Sequence, residues 1–423
     1  MRILADDVSK HIGKEITVKG WVHRIRDLGK VCFIILRDRS GKVQLVAEES
    51  PDFPVETVVS VTGTVRENDK APRGAEIQIQ TLEVMAEAAA DLPVPVNQDP
   101  EKIGLEALLD NRMIALRNPK IRSIFTLQSD IIRYFSEYMR SQGFYEIKTS
   151  KLIGSGTEGG TGLFSVEYFE NKVYLAQSPQ FYKQAMVASG MERVFEVGAA
   201  YRAEKHDTPR HLNEYVSLDV EMAFIEDEND LMDLETGILA AIFAGIKTNN
   251  QKELDLWGAQ VPAPEKTAAI PRISHDDAKK IISNTQGKRV FEINPEGERI
   301  LCDWAQENHG IDAVFVYAFP RKKRPFYTYP EGLKTKSFDL LFRGLEITTG
   351  GRRINEYAML KETLPKFGMT EEGLGPYAHI FKYGCPPHGG FAIGLERITQ
   401  KILGLQNVKE ASIFPRDRKR IAP

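Results

Sequence analysis

Apolar and polar residues alternate along five short runs near the N terminus, and this period of two predicts β-strands. The runs lie between residue 15 and about residue 87, and they read EITVKGWV, KVCFIIL, KVQLVAE, VVSVTGTV and AEIQIQTLEV. Turn-forming patches such as DRSGK and ENDKAPRG separate them. So many strands in a short segment predict a small closed barrel of the OB type, whose strand face can bind single-stranded nucleic acid. A purely structural barrel is the alternative.

The pattern changes after the barrel segment. The stretch ADLPVPVNQDPEKIG is rich in proline and has no periodicity, which is typical of a linker. From Pro119, apolar residues recur at helical spacing until Gly143, and they predict a long amphipathic helix followed by a strand at FYEIKTS. We therefore predict a barrel domain at residues 1–90, a linker at 91–118 and a second domain at 119–423.

Length and composition are those of a globular protein. With 423 residues and 42% apolar residues, the chain is long enough for two or three folding units. The longest apolar run, 237–246, is far shorter than the roughly 20 residues that cross a bilayer, and the N terminus has no signal-peptide core. We therefore expect a cytoplasmic protein with no membrane partner. The net charge of −3 means that a nucleic acid would need a local basic surface.

The three cysteines lie far apart in the sequence. They form no CxxC pair and have no histidine at zinc-finger spacing, which argues against a disulfide framework and against a structural zinc. We expect reduced thiols.

The segment from residue 193 to residue 224 predicts two strands with a charged loop between them. The first strand would aim Arg202 and Glu204 away from its apolar face. The second would place Asp219 on a polar face opposite an apolar one. The loop KHDTPRHLNE adds side chains suited to a nucleoside triphosphate, namely Lys205, His206, Arg210 and His211. A solvated hairpin tip with incidental charge is the alternative.

The sequence KSFDLLFRGLEITTGGRRI predicts a hairpin that carries two carboxylates. Asp339 and Glu346 would face opposite ways on one straight strand. A turn within FRGL would instead pair Leu341 with Glu346 and bring Asp339 to the same face. Two carboxylates on one face are costly without a cation, and together with substrate phosphates they suit Mg²⁺. An exposed acidic hairpin is the alternative.

Three further segments carry candidate binding groups. PPHGGFAIGLERITQKILGL predicts a strand and then a helix whose first turn carries Arg397, where free N–H groups favour anions. It has no GxGxxG or Walker loop, so dinucleotide and P-loop binding are poor explanations. The glycine-rich loop SGTEGGTGLF carries Glu158, and LAQSPQFYKQ presents Ser178, Gln180 and Lys183. Taken alone, an ordinary helix start and a flexible connection are the alternatives.

Together these blocks resemble the class II aminoacyl-tRNA synthetases. YRAE with its loop and LDVEMAF is similar to the second motif of that class, GGFAIGLERI to the third, and the long helix with GFYEIKTSKL to the first. LAQSPQFYKQ, GLEITTGGRRI and PPHGGFAIGLER resemble the compact aspartyl-tRNA synthetases of archaea and eukaryotes, which lack the large bacterial insertion. The resemblance implies an α+β fold, with a five-stranded OB barrel for the anticodon and then a catalytic domain of an antiparallel sheet flanked by helices.

The resemblance also implies a role for each candidate residue. Arg202 and Arg397 would be catalytic and would hold the α- and γ-phosphates of ATP, and Asp339 and Glu346 would bind Mg²⁺. The other implied ATP contacts are Glu204, Arg210, His211, Leu212, Tyr215 (against adenine), Glu346 and Gly394. Of the implied aspartate contacts, Glu158, Ser178 and Gln180 would receive the amino group, Lys183 and Arg353 would bind the side-chain carboxylate, and Arg202, Asp219 and Thr349 would complete the site.

The implied activity is ATP-dependent ligation of L-aspartate to tRNA through an aspartyl-adenylate, carried out by a homodimer. Because the substrate's own carboxylate attacks the α-phosphorus, positive charge near the phosphates matters more than a general base. Ser150 stands where the first motif usually has proline, so the dimer contact made by that segment stays open.

For the barrel, the resemblance implies tRNA contacts. Phe33 and Gln44 match positions that stack on and read the middle anticodon base, with Arg26 and Glu76 nearby. His23 and Pro72 stand where enzymes restricted to tRNA(Asp) tend to carry Trp and Lys. This implies charging of both tRNA(Asp) and tRNA(Asn), with an amidotransferase as a candidate partner for the asparagine route. An enzyme restricted to tRNA(Asp) is the alternative.

Three other kinds of protein share parts of this pattern. An asparaginyl-tRNA synthetase shares the fold, but a neutral amide gains nothing from a buried cation such as Lys183, and asparagine-specific relatives generally lack that Lys and Asp219. A paralogue that only binds RNA conflicts with the intact set Arg202, Glu346, Arg353 and Arg397. An asparagine-synthesising paralogue would lack the barrel.

Overall fold

A computed structural model describes residues 2–154, 156, 162–205 and 207–422. Contacts between Cα atoms divide the chain into two units, with the division after Asn118. None of the described helices combines the length and the apolar character that a membrane span requires. The three cysteines are buried and form no disulfide.

The first unit contains a closed five-stranded barrel with strand order β1-β2-β3-β5-β4, as the alternating pattern predicts. Its strands are β1 (Glu15–Asp27), β2 (Cys32–Arg37), β3 (Lys42–Ala47), β4 (Val58–Glu67) and β5 (Ala75–Ala86). Along each strand every second side chain points inward, and these inward side chains, mostly β-branched residues and leucines, fill the interior of the barrel. The innermost of these are Val18, Ile34, Leu45, Val61 and Ile77. Two short helices, α1 (Leu105–Asp110) and α2 (Arg112–Ala115), follow the barrel in the same unit.

An ion pair is buried at one end of the barrel. Arg37 donates from Nη1 and Nη2 to the two carboxylate oxygens of Glu56, both at 2.8 Å. Both side chains are about 2% exposed or less. Arg37 Nη1 also lies 3.1 Å from His23 Nδ1, and Arg117 lies 3.4 Å from Glu56. Two charges this deeply buried are tolerable only as a pair, so each depends on the other.

The second unit is built on an eight-stranded sheet with order β12-β13-β16-β17-β18-β11-β10-β6. The pairings are antiparallel except at the two edges, where β6 and β12 run parallel to their neighbours. The sheet strands are β6 (Tyr145–Glu146), β10 (Arg193–Tyr201), β11 (Glu214–Ala223), β12 (Arg272–Ser274), β13 (Ala313–Tyr317), β16 (Ser337–Phe342), β17 (Leu345–Arg352) and β18 (His388–Gly394). The smaller strands are β7 (Leu152–Ile153), β8 (Ser165–Tyr168), β9 (Asn171–Leu175), β14 (Pro330–Glu331) and β15 (Lys334–Thr335).

Helices cover one face of this sheet. The long helix expected from Pro119 is α3 (Pro119–Ser141), and its buried stripe packs with that of α5 (Glu228–Asn249) over the apolar side of the central strands. Phe135 packs against Phe195 there, in a cluster that also contains Ile131. The remaining helices are α4 (Gln180–Met186), α6 (Gln251–Trp257), α7 (Pro264–Thr267), α8 (His275–Gln286), α9 (Pro295–His309), α10 (Tyr357–Thr363), α11 (Glu371–Leu374), α12 (Tyr377–Lys382) and α13 (Leu395–Leu403).

The hairpin of β16 and β17 turns at Arg343 and Gly344, which both have positive φ. Two such residues form the turn type that suits a two-residue hairpin. Leu341 pairs with Glu346 as predicted, but the register then shifts, so that Asp339 lies opposite Thr349. This bulge gives the two carboxylates a hydroxyl neighbour that simple alternation does not predict.

The buried ion pair of the barrel generates a prediction. Changing Glu56 to Gln keeps the shape of the side chain but leaves the Arg37 guanidinium without its countercharge. We expect the variant to lose about 3 kcal/mol of unfolding free energy. Urea denaturation followed by tryptophan fluorescence would measure it, with Glu67→Gln at the exposed end of β4 as the matched control. Equal stability of the two variants would contradict the assignment.

Candidate active site

A cavity lies on the polar face of the large sheet and encloses about 1180 Å³, a volume that includes the solvent space at its mouth. Segments far apart in sequence form its walls: α4, the loop after β10, and strands β11, β17 and β18. Of the predicted site residues, it brings together Ser178, Gln180, Lys183, Arg202, Glu204, Arg210, His211, Leu212, Tyr215, Asp219, Glu346, Thr349, Arg353, Gly394 and Arg397. Glu158 and His206 lie outside the described residues.

Two buried cations converge at one end of the cavity. Lys183 Nζ lies 3.1 Å from Asp219 Oδ1 and 3.2 Å from Glu221 Oε2. Arg353 donates from Nε to the other oxygen of Glu221 at 3.0 Å and from Nη2 to the carbonyl oxygen of Gly390 at 2.9 Å. Lys183 and Arg353 therefore share one carboxylate, although they are 170 positions apart in the chain (353 − 183).

Glu221 is a residue whose role the sequence analysis missed. It is fully buried, and burial by itself would raise its pKa, but the charges of Arg353 and Lys183 outweigh burial and hold the pKa below its ordinary value. The carboxylate is thus ionised and fixes both cations. Its position on the polar face of β11, next to Asp219, was the available signal.

A layer of hydrogen bonds behind Arg353 was also missed. Gln180 accepts from Arg353 Nη2 at 3.3 Å and donates from Nε2 to Gln184 Oε1 at 2.9 Å. Gln184 in turn lies 2.8 Å from His388 Nε2 and accepts from the Tyr377 hydroxyl at 2.8 Å. Burial lowers the pKa of His388, so its ring is neutral. Because each amide has partners at both ends, the orientation of Gln180 beneath Arg353 is determined.

The predicted phosphate residues lie at the other end of the cavity. β10 ends at Tyr201, so Arg202 and Glu204 are in the loop and not on the strand as expected. The Arg202 guanidinium lies 5.7 Å from the centre of the Tyr215 ring. Arg397, in the first turn of α13, donates to the carbonyl oxygens of Glu346 at 2.9 Å and Arg210 at 3.4 Å.

Side-chain contacts, both within the loop and to α9, hold the loop between β10 and β11 in place. Arg210 forms an ion pair with Glu298 of α9, which also accepts from the backbone N–H of Glu346. His211 Nδ1 lies 2.7 Å from the Thr208 hydroxyl. Glu298 was not predicted, because it lies on a helix whose sequence gives no sign of contact with this loop.

The two predicted metal ligands differ in exposure. Glu346 lies on the cavity wall, whereas Asp339 is buried and is not among the lining residues. Burial raises the pKa of Asp339 to about 7, against the opposing charge of Arg324. Thr349 donates to Glu346 at 3.2 Å and lies opposite Asp339.

This donor set fits Mg²⁺ in part. Carboxylate and hydroxyl oxygens are the ligands that Mg²⁺ accepts, and the ion usually completes its shell with substrate phosphates and water. Asp339 Oδ1 makes no hydrogen bond of good geometry within the described residues. No cluster of three or more His, Cys, Asp or Glu side chains arranged for a metal occurs in the described part of the chain. A metal here would complete its coordination shell with water or with the phosphates of a bound substrate.

A second buried carboxyl group lies beneath the sheet. Glu235 of α5 is fully buried below Thr348, and its oxygens make no hydrogen bond of good geometry within the ranges that the structure describes. Burial raises the pKa of Glu235 to about 8, with a smaller opposing effect of Thr348. Glu235 is therefore mostly protonated at neutral pH.

The barrel places the predicted anticodon residues on one outer face. Arg26 lies opposite Phe33, and Gln44 lies opposite Glu76 and donates to it at 2.9 Å. Residues directly opposite on paired strands share a face, and Phe33 is a diagonal neighbour of Gln44. These side chains form a continuous strip that combines an aromatic ring with polar groups.

The two predicted tRNA-discrimination residues are placed differently from each other. Pro72 begins an exposed 3₁₀ turn before β5. His23 is only 6% exposed and lies at a bulge of β1 between Val22 and Arg24. Burial lowers the pKa of His23 to about 3, so the ring is a neutral group beside Arg37.

Two family models match the chain. The model for tRNA synthetases class II (D, K and N) matches residues 104–418, and that for the OB-fold nucleic acid binding domain matches residues 16–85. The first covers most of the chain and includes every element that lines the cavity.

Named relatives match over their full length. The chain is 48% identical over 425 residues to an aspartate–tRNA(Asp/Asn) ligase of Thermus thermophilus, covering 100% of both chains. It is 44% identical over 432 residues to an aspartate–tRNA(Asp/Asn) ligase of Deinococcus radiodurans, covering 100% of this chain and 99% of that one. It is 41% identical over 430 residues to an aspartate–tRNA(Asp) ligase of Pyrococcus abyssi, covering 97% of each.

Solved structures share the fold. A Pyrococcus horikoshii asparaginyl-tRNA synthetase complexed with asparaginyl-adenylate superposes with a TM-score of 0.93 at 29% identity, covering 100% of both chains. A putative aspartyl-tRNA synthetase from Leishmania major superposes with a TM-score of 0.91 at 28% identity, covering 100% of this chain and 94% of that one. The fold is therefore common to proteins named for two different amino acids.

The buried Glu235 predicts a pH dependence of stability. Between its ordinary pKa of 4.5 and its folded pKa of about 8, the folded chain retains a proton that the unfolded chain loses. Stability contributed by this group is therefore complete below pH 4.5 and is lost as the pH rises towards 8. Glu235→Gln, which stays neutral, should match the wild type at pH 5 and exceed it by about 2–4 kcal/mol at pH 8.

Thermal unfolding at the two pH values would measure this difference. The exposed Glu307→Gln on α9 is the matched control and should follow the wild type at both. A Glu235→Gln midpoint that is lower than the wild-type midpoint at pH 8 would show that the carboxyl group is ionised and stabilising.

Proposed function

The chain belongs to the class II tRNA synthetases of the D, K and N group, and on this basis we propose that it ligates L-aspartate to both tRNA(Asp) and tRNA(Asn). The reaction would use ATP and proceed through an aspartyl-adenylate. The observation that carries the proposal is the convergence of Lys183 and Arg353 on Glu221 at one end of the cavity.

The choice of aspartate rests on charge. A side-chain carboxylate gains from two buried cations, whereas the neutral amide of asparagine does not. Asp219 and Glu221 hold Lys183 and Arg353 in place by ion pairs, so that the donors for the substrate carboxylate are positioned before aspartate binds. The names of the most similar relatives support aspartate, and the asparaginyl-tRNA synthetase with the same fold shows why the fold alone is not sufficient evidence.

The opposite end of the cavity suits the triphosphate. Arg202 and Arg397 would bind the α- and γ-phosphates, and the Tyr215 ring would lie against adenine, with Arg210 and His211 helping from the loop. The α-carboxylate of aspartate would attack the α-phosphorus of ATP, forming the adenylate and releasing pyrophosphate. Arginine side chains that neutralise the phosphates lower this barrier, and no protein nucleophile is required. Mg²⁺ held by Asp339 and Glu346 would supply further positive charge.

The register of the sheet sets the distance between the two substrates. Asp219, Ala392, Thr349 and Asp339 lie in one row across four neighbouring strands. Three strand-to-strand steps span about 14 Å, which suits an amino acid beside a nucleotide phosphate. The small side chain of Ala392 leaves room between the ends.

The amino group of aspartate would be received by Ser178 and Gln180 and by Glu158. In the structure the Gln180 amide already bonds Arg353 and Gln184, so its contribution would be to hold Arg353 as well as to contact substrate. The contact of Glu158 with the amino group stays a prediction from the sequence, because Glu158 lies outside the described residues.

The barrel strip of Arg26, Phe33, Gln44 and Glu76 would bind the anticodon, with stacking on Phe33 worth about 1–3 kcal/mol. Charging of both tRNAs is supported by the names of two relatives and by His23 and Pro72. The homodimer and the amidotransferase partner stay predictions that rest on the family resemblance, and the cytoplasmic location stays a prediction from the apolar pattern of the sequence.

Changing Lys183 to Met tests the aspartate site. We expect aspartate-dependent exchange of pyrophosphate into ATP to fall about 100-fold or more, because the side-chain carboxylate of aspartate loses one of its two buried cations. ATP binding should be largely kept. Calorimetric titration with ATP would check the second part, and Lys247→Met on the exposed side of α5 is the matched control. Unchanged aspartate affinity would show that the pocket is wrongly assigned. Exchange by the wild type with asparagine and not with aspartate would reject the proposed function.

Charging with labelled aspartate tests the tRNA scope. Purified tRNA(Asp) and tRNA(Asn) are assayed separately. We expect both to be charged, because His23 and Pro72 stand where enzymes restricted to tRNA(Asp) tend to carry Trp and Lys. Charging of tRNA(Asp) alone would reject the relaxed specificity and leave aspartate ligation intact.

A further inference from the structure

Arg324 is a cation of the cavity wall that the proposed reaction does not use. Its side chain is 9% exposed. The guanidinium lies 3.8 Å from the centre of the Phe319 ring, and His275 packs against the same ring at 4.8 Å. Arg324 therefore has a cation–π contact with Phe319 at one side of its guanidinium.

Arg324 lies directly against one of the proposed metal ligands. Its Nη2 atom is 2.7 Å from Asp339 Oδ1. Nevertheless, neither of these atoms, nor Arg324 Nε, makes a hydrogen bond of good geometry within the described part of the chain. Charge attraction and ring packing therefore hold the pair.

The carboxylate is the fixed member of this pair. Asp339 lies in the middle of β16, paired with Val316 on one side and Thr349 on the other. Arg324 follows a 3₁₀ turn, Arg321–Lys323, outside the large sheet. If the two groups separate, the guanidinium is the one that moves.

We propose that Arg324 is a positioning residue that competes with a divalent cation for Asp339, and so sets the metal concentration at which the site fills. This inference rests on the proposed role of Asp339 and Glu346 as metal ligands. Asp339 Oδ1 faces Arg324, and the positive charge of the guanidinium opposes the approach of a second cation to the same carboxylate. The displaced guanidinium remains on the cavity wall.

The test is a titration of the full chain with Mn²⁺ alone, followed by the electron paramagnetic resonance signal of the free ion. Arg324→Met removes the charge but keeps an apolar side chain against Phe319. We expect its dissociation constant for Mn²⁺ to be at least about fivefold lower than that of the wild type. The matched control is Lys322→Met, which removes the same charge from an exposed position two residues away and should leave the constant unchanged.

Arg324→Lys separates charge from shape. It keeps a positive charge near Asp339 but loses the planar group that packs on Phe319, so its gain in Mn²⁺ affinity should be smaller than that of Arg324→Met. Tighter Mn²⁺ binding by Arg324→Met alone supports the proposal. Equal or weaker binding by Arg324→Met, no binding by any variant, or an equal gain in Arg324→Lys or Lys322→Met would each overturn it.

Aspartate-dependent pyrophosphate exchange by the wild type is measured separately. Absence of that exchange would reject the proposed function, whatever the Mn²⁺ result. Exchange with aspartate, combined with no effect of Arg324→Met on Mn²⁺ binding, would reject only the role of Arg324.

Discussion

The carboxylate of Glu221 is the interaction on which the amino-acid end of the cavity depends. It is buried, and it holds Lys183 with one oxygen and Arg353 with the other. A buried cation without a countercharge would be neutralised or expelled. Together with Asp219, Glu221 holds two cations from distant segments in place, where they can receive the side-chain carboxylate of aspartate.

The sheet supplies the space for this arrangement. A side chain at Gly390 would bring its Cβ to 2.0 Å from the Val220 carbonyl oxygen and 2.3 Å from Glu221 Oε2, so only glycine fits beside that carboxylate. The same residue offers its carbonyl oxygen to Arg353. Strand pairing therefore determines both the charge balance and the room left for substrate.

Buried ionisable side chains occur in both units, and the charge state of each depends on whether a group of opposite charge lies beside it. In the barrel, Arg37 and Glu56 neutralise each other beside His23, which is kept neutral by burial. In the second unit, Glu235 has no cation and retains its proton, while Asp339 has Arg324 close by. The same residue types thus act as ion pairs, neutral acids or candidate metal ligands according to what lies within a few ångströms.

The amino-acid sequence by itself determined the barrel, the long helix from Pro119 and the pairing of Leu341 with Glu346, because alternation, helical periodicity and turn residues are local. Its motifs also indicated the family and nearly all of the residues around the cavity. Only the tertiary structure decided that Arg202 lies in a loop, that a bulge sets Asp339 opposite Thr349, and that Glu221, Gln184 and Arg324 join the site. These depend on strand register and on contacts between separate segments, such as that of Glu221 with Arg353, and no local pattern encodes such contacts.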